Sequence, residues 1–287
     1  QVTDQNRQAI AGRQSFVVHP ADLYVGLRSD RSVYKEGERA RVEGVVVDIA
    51  GKRVGGRPLA VELVRSETRR TPIEENGRWE FKYETVDVPV GSCKLTSDAA
   101  PASCDLVVDK AGSYVLRAEI TDDKGHRALT RHNLYVYGKD AVVWDQDQKR
   151  VDMVPDKRTY EPGEQATILL RSPFDRARGL AIVEREGIVE YRELTVEGGA
   201  ATLDIALTED MIPNVEVAVL LVRGRVEVPG APPGQDLGRP AVAVGQVSLQ
   251  IATTKKKIDL ALKPDRAQIA PKETIKLEIQ ARGPDGQ

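Results

Sequence analysis

Apolar and polar residues alternate along most of this chain with a period of two. The pattern predicts strands over Leu23–Leu27, Arg39–Asp48, Leu59–Arg65, Trp79–Thr85, Leu106–Val108, Tyr114–Thr121 and Arg127–Tyr137. A second set follows over Asp152–Val154, Gln165–Arg171, Leu180–Arg185, Ile188–Glu197, Ala201–Leu207, Glu216–Arg223 and Val242–Ala252. Ile49–Lys52, Glu75-Asn76-Gly77, Glu186-Gly187 and Gly198-Gly199 supply the turns, the second of them an Asn-Gly hairpin signal. No stretch of about 10–12 residues holds a helical period. Seven short strands with a turn every ~8–12 residues predict an antiparallel β-sandwich, twice over.

A three-fold repeat sets the domain boundaries. Ser29–Glu38, Pro155–Glu164 and Pro264–Glu273 align without a gap, and their aspartates, Asp30, Asp156 and Asp265, stand 126 and 109 residues apart. Each copy is a polar turn with a basic residue, a large side chain (Tyr34, Tyr160, Ile269), a Pro/Gly corner and then a strand. Apolar residues fall two and four positions after each final Glu: Ala40 and Val42, Ala166 and Ile168, Ile275 and Leu277. Spacings above 100 residues suit whole sandwich domains and are too long for a solenoid. A second repeat marks domain ends, with Val2–Arg7 leading into a strand over Ser15–His19 as Ile120–Gly125 leads into Asn133–Tyr137. The predicted division is the last hairpin of one domain over 1–20, sandwiches over 21–138 and 139–255, and the first strands of another over 256–287. The chain thus reads as a piece of a longer array.

Composition narrows the chemistry. Of 287 residues, 40% are hydrophobic and 30% charged, which is ample for globular cores. A net charge of −2 gives no reason to expect nucleic acid or an anionic membrane as partner. The apolar runs are far below the roughly 18 residues that cross a bilayer, so no membrane insertion is expected.

Cys93 and Cys104 have ten residues between them, form no Cys-x-x-Cys pair and have no histidines at finger spacing, which argues against zinc. A disulfide closing the small, polar Thr96–Pro101 loop is the preferred reading, with two unpaired thiols as the alternative; a disulfide would place the chain in an oxidising compartment. His19, His126 and His132 are expected to be locally hydrogen-bonded. Asp145, Asp147 and Asp152 hint at calcium, but Arg150 stands where an EF-hand needs Gly. Lys255-Lys256-Lys257 reads as a solvated linker. There is no Gly-x-Ser-x-Gly elbow, P-loop or dinucleotide fingerprint, and no enzyme, metal or cofactor is expected. The most open segment is Val228-Pro229-Gly230-Ala231-Pro232-Pro233-Gly234-Gln235-Asp236-Leu237-Gly238-Arg239-Pro240, whose four prolines and three glycines prevent a strand. It reads as a connecting loop that a protease could reach.

The strings Pro155-Asp156-Lys157, Tyr160–Glu164, Leu170–Phe174, Val183–Gly187, Pro213-Asn214-Val215, Leu221–Arg225 and Arg239-Pro240-Ala241, with Ala21–Leu27 upstream, resemble the bacterial alpha-2-macroglobulin family. In particular they resemble the macroglobulin-like domains that precede its bait-bearing domain. The resemblance implies immunoglobulin/fibronectin III-like sandwiches within a large periplasmic or inner-membrane-anchored inhibitor of broad specificity. There a protease cuts a flexible bait, the molecule rearranges and the protease is trapped. The partners it implies are neighbouring domains of the same chain and, through the full-length protein, proteases; the piece itself is expected to be a monomer. Many members carry a Cys-x-Glu-Gln thioester. Here Lys94-Leu95 follows Cys93 and Asp105-Leu106 follows Cys104, so neither matches. The resemblance places the bait after the strands that begin near Ile258, beyond Gln287. A bait inside Val228–Pro240 and an adhesin-like array are the competing readings.

Overall fold

The computed structural model describes residues 2–3, 9–10, 12–75, 78–144, 149–228, 236 and 238–283. Val2–Thr3 (β1) pairs with Ala9–Ile10 (β2). Eight strands then build a first sandwich: Leu23–Ser29 (β3), Val33–Lys35 (β4), Arg39–Asp48 (β5), Pro58–Glu75 (β6), Arg78–Thr96 (β7), Ala102–Val107 (β8), Gly112–Thr121 (β9) and Arg127–Tyr137 (β10). Eight more build the second: Asp152–Pro155 (β11), Thr159–Tyr160 (β12), Gln165–Arg171 (β13), Ala177–Glu184 (β14), Ile188–Val196 (β15), Ala200–Ala206 (β16), Asn214–Arg223 (β17) and Ala241–Ile251 (β18). Asp259–Pro264 (β19) and Leu277–Arg282 (β20) form a hairpin of their own.

The two sandwiches share one topology. The first opposes a sheet ordered β4-β10-β9-β6-β7 to a sheet ordered β3-β5-β8; the second opposes β12-β18-β17-β14-β15 to β11-β13-β16. Alternation puts the apolar members inside. In β9, Tyr114, Leu116, Ala118 and Ile120 are buried while the residues between them are more exposed. In β17 the buried set is Val215, Val217, Val219 and Leu221. Each sandwich closes over its own apolar core.

Each sandwich has one strand more than the seven expected. β4 and β12 lie within the repeated turn and pair in parallel with the last strand of their domain, Val33 opposite Tyr135 and Thr159 opposite Gln250. Runs of three and two residues are too short for a period to register. The β6–β7 hairpin is also far longer than expected, at 18 and 19 residues against 8 and 9 for β14 and β15. Its Asn76-Gly77 tip lies outside the described residues. Ser15–His19 forms no strand, contrary to expectation: Phe16, Val17 and Val18 are exposed, and no described strand pairs with them. A short apolar run needs a partner ladder to become a strand.

Candidate functional site: the joint between the sandwiches

The repeated turn is one hydrogen-bonded device built three times. The backbone N–H of Asp30, Asp156 and Asp265 donates to the carbonyls of Arg41 (3.1 Å), Thr167 (2.9 Å) and Lys276 (2.9 Å), eleven residues on in each case. The closing glutamate accepts from the basic residue of the turn: Arg31 to Glu38 (3.3 Å), Lys157 to Glu164 (2.8 Å), Arg266 to Glu273 (3.4 Å). It also accepts a backbone N–H, from Lys35, Glu161 or Ala270. Lys157 holds the Glu164 carboxyl below its ordinary pKa range. In the first two copies the tyrosine hydroxyl donates to the aspartate, Tyr34 to Asp30 at 2.6 Å and Tyr160 to Asp156 at 2.8 Å. Burial pushes both phenols well above their ordinary pKa. The corner residue is left-handed in all three copies, with φ of 85° at Gly37, 92° at Gly163 and 73° at Lys272. Only the third copy lacks the glycine that this conformation favours.

The first and second copies of this turn meet. Ser32 N–H donates to the Asp156 carbonyl at 2.8 Å, across the two domains. Beside that bond Val33, Trp144 and Leu169 form a small buried cluster, flanked by Tyr135, Tyr137, Val142, Val154 and Ala200. β4 therefore buries both faces, Val33 in the joint and Tyr34 in the first core. β13 does the same, with Leu169 in the joint between Ile168 and Leu170 of the second core. The Arg171 guanidinium lies 4.7 Å from the Tyr135 ring and 5.0 Å from the Trp144 ring, and pairs with Asp152 at 3.1 Å. A cation in contact with two rings contributes about 0.5–2 kcal/mol per ring.

The connection between the domains is pinned to the second sandwich. Val142 N–H donates to the Gly198 carbonyl at 2.8 Å, and Trp144 Nε1 donates to the Gly199 carbonyl at 2.7 Å. Both glycines have positive φ, +63° and +80°. A Cβ on Gly199 would lie 2.4 Å from the Val142 carbonyl oxygen, and one on Gly198 would lie 3.1 Å from Ala141 Cα. The Gly-Gly turn thus serves as the seat of the connector as well as a hairpin corner.

Cys93 and Cys104 are joined in a disulfide. Cys93 lies on β7 and Cys104 on β8, edge strands of opposite sheets, so the bond clasps the open side of the first sandwich. The three histidines have different partners: His19 lies beside the Tyr24 hydroxyl, His126 beside Asp122, and His132 beside Ser29. No set of metal-ligating side chains gathers among the described residues. Asp145 and Asp147 fall outside them. Lys256 reaches the Glu209 carbonyl and Lys257 pairs with Asp259. Of the open segment, Pro229 to Gln235 and Leu237 lie outside the described residues. Its described ends are tied together: Val226 N–H donates to the Gly238 carbonyl at 3.0 Å, Arg225 pairs with Asp236 at 2.7 Å, and Arg223 donates to the Arg239 carbonyl at 2.6 Å.

Residues 26–136, nearly the whole first sandwich, match the family profile of bacterial macroglobulin domain 6. Residues 151–284 match that of the alpha-2-macroglobulin bait region domain, which takes in the second sandwich and the β19–β20 hairpin together. The chain belongs to the bacterial alpha-2-macroglobulin family. It is 29% identical over 292 aligned residues to an alpha-2-macroglobulin homolog of a Nostoc species, covering 98% of this chain but 15% of that relative. Among solved structures it is similar to native Escherichia coli alpha-2-macroglobulin, with 20% identity, a TM-score of 0.40, and coverage of 99% of this chain and 18% of that one. It is also similar to methylamine-reacted Salmonella alpha-2-macroglobulin, with 19% identity, a TM-score of 0.35, and coverage of 92% and 17%. The chain therefore spans under a fifth of each of these relatives.

Proposed function

We propose that this chain is a load-bearing segment of a protease-trapping macroglobulin, a non-enzymatic scaffold that holds a cleavable segment lying outside it. The joint carries this reading. Two sandwiches that share a backbone hydrogen bond, a buried Trp-Val-Leu cluster and a pinned connector act as one strut, able to pass a displacement from one end to the other. Both sulfurs are committed to a disulfide and neither cysteine opens a Cys-x-Glu-Gln sequence, so an acylating thioester would have to come from elsewhere in the full-length protein. The disulfide also supports an oxidising location, the periplasm or an inner-membrane anchor facing it.

A second reading places the cleaved segment at Val228–Pro240. The bait region match spans it, and the stretch from Gly224 to Glu227 that leads into it is exposed. One experiment separates the two. The protein is incubated with trypsin and with elastase, residual activity is assayed on a large protein substrate, and the cut sites are mapped by mass spectrometry. The scaffold reading expects full protease activity and no dominant cut. Stoichiometric protection of the substrate would overturn it, and a single fast cut within 228–240 with a large change in hydrodynamic radius would establish the second reading.

A further inference from the structure

One end of the solvent face of the larger sheet in the second sandwich is apolar where a sheet face exposed to water is normally polar. The register aligns its outward residues in rows. One row runs Leu180, Leu220, Val244 across β14, β17 and β18, with Glu193 of β15 at its end; the next runs Arg178, Val222, Val242, with Thr195 at its end. Leu220 is 41% exposed, Val222 48%, Val242 52% and Val244 55%. Four neighbouring apolar side chains open to water on adjacent strands form the kind of patch that marks an interaction surface.

The second row runs into a hollow of about 480 Å³ lined by Arg178, Val222 and Val226 and by three further arginines, Arg176, Arg223 and Arg225. Two of the four are engaged, Arg225 by Asp236 and Arg223 by the Arg239 carbonyl. Arg176 and Arg178 are exposed and make no ion pair among the described residues. Glu197 is the carboxylate in the lining. Guanidinium groups present planar, paired donors that match carboxylate geometry.

We propose that this face docks a separate polypeptide segment whose apolar side chains lie along the two rows and whose carboxylates enter the arginine-lined hollow. Apolar rows leading to cations at one end complement such a segment. A polyanion would use the cations and leave the rows unsatisfied, since its binding rests on charge neutralisation. The inference is independent of the protease-trap reading.

The test uses the whole chain and two fluorescent peptides, each with alternating valine and serine residues followed by a charged run, acidic in one and lysine-rich in the other. Fluorescence anisotropy is expected to report binding of the acidic peptide and none of the lysine peptide. An Arg176→Glu/Arg178→Glu variant is expected to weaken binding by about tenfold or more. A Leu220→Ser/Val244→Ser variant is expected to weaken it comparably, and both variants should keep the parent circular dichroism spectrum and melting midpoint. Arg178→Gln serves as a milder replacement if the charge reversals unfold. The proposal is overturned if the acidic peptide fails to bind, if the lysine peptide binds equally, or if a labelled oligonucleotide displaces the acidic peptide while the Leu220→Ser/Val244→Ser variant binds normally. It is also overturned if sedimentation shows a dimer that Leu220→Ser dissolves, since the face would then belong to a second copy.

Discussion

Asp122 ties the beginning of the first sandwich to its last hairpin. Its buried carboxylate accepts from the backbone N–H of Asp22 (2.9 Å), His126 (2.8 Å) and Lys124 (2.9 Å), and from the His126 ring (3.1 Å). The Asp22 amide first, then the other donors against the opposing effect of desolvation, hold this carboxyl far below the ordinary range. A carboxylate whose pKa is lower in the folded chain adds stability that is complete above its unfolded pKa, near ~3.9, and is lost as the pH falls toward the folded value. Asp122→Asn turns one side-chain oxygen into an NH₂ group facing donors, so it is expected to lower the melting midpoint at neutral pH. The deficit relative to the parent should shrink below about pH 4. A deficit that stays constant down to acid unfolding would show that the charge is not what matters. Lys272 makes a complementary point: at φ 73° it holds a left-handed corner that Gly37 and Gly163 fill in the other copies, so each copy's shape is set by its hydrogen bonds and glycine only makes the corner cheaper.

Among the strands, the cystine offers a direct measure of how much the first sandwich depends on closing its open side. Cys93→Ser/Cys104→Ser removes a loop of eleven residues' separation, whose closure contributes somewhat under about 3 kcal/mol by chain entropy. The expected result is a lower melting midpoint for the first sandwich alone, seen by calorimetry as a transition that splits from that of the second. An unshifted transition would mean that the β7–β8 edge is held without the bond. Much of this element structure was legible beforehand. The strands expected over Arg39–Asp48 and Arg127–Tyr137 have the observed bounds. What escaped was of two kinds. β4 and β12 are too short to show a period, and the joint depends on residues from distant parts of the chain. One local signal of the joint was present: Ile168-Leu169-Leu170 breaks the alternation, and an unbroken apolar run inside a strand means that both faces are covered. The tryptophan of the connector was the other. The arginine hollow left no trace in the sequence, because Arg176, Arg178, Arg223 and Arg225 come from two strands and their flanks and converge only in the sheet.

Taken together, the two sandwiches form a tandem with distinct cores and a third, smaller apolar contact between them. Bond by bond the joint is modest, but it is made of unlike parts: a backbone hydrogen bond, a seated connector and a cation against a pair of rings. Loss of one part should loosen the joint without melting either sandwich, because the Arg171 guanidinium and the Trp144 ring serve contacts separate from the strand ladders. Arg171→Ala is accordingly expected to leave the strand content unchanged while broadening the small-angle scattering distance distribution. An unchanged distribution would show that the remaining contacts fix the angle by themselves.

Trp144 is 4% exposed, and what shields it is the partnership of the two domains. The chain has one other indole, Trp79, and replacing that one by phenylalanine leaves a single emitter at the crease. Its emission colour then becomes a built-in gauge of articulation. Blue light means a closed crease, and a shift to the red without loss of circular dichroism means that water has entered between two intact halves.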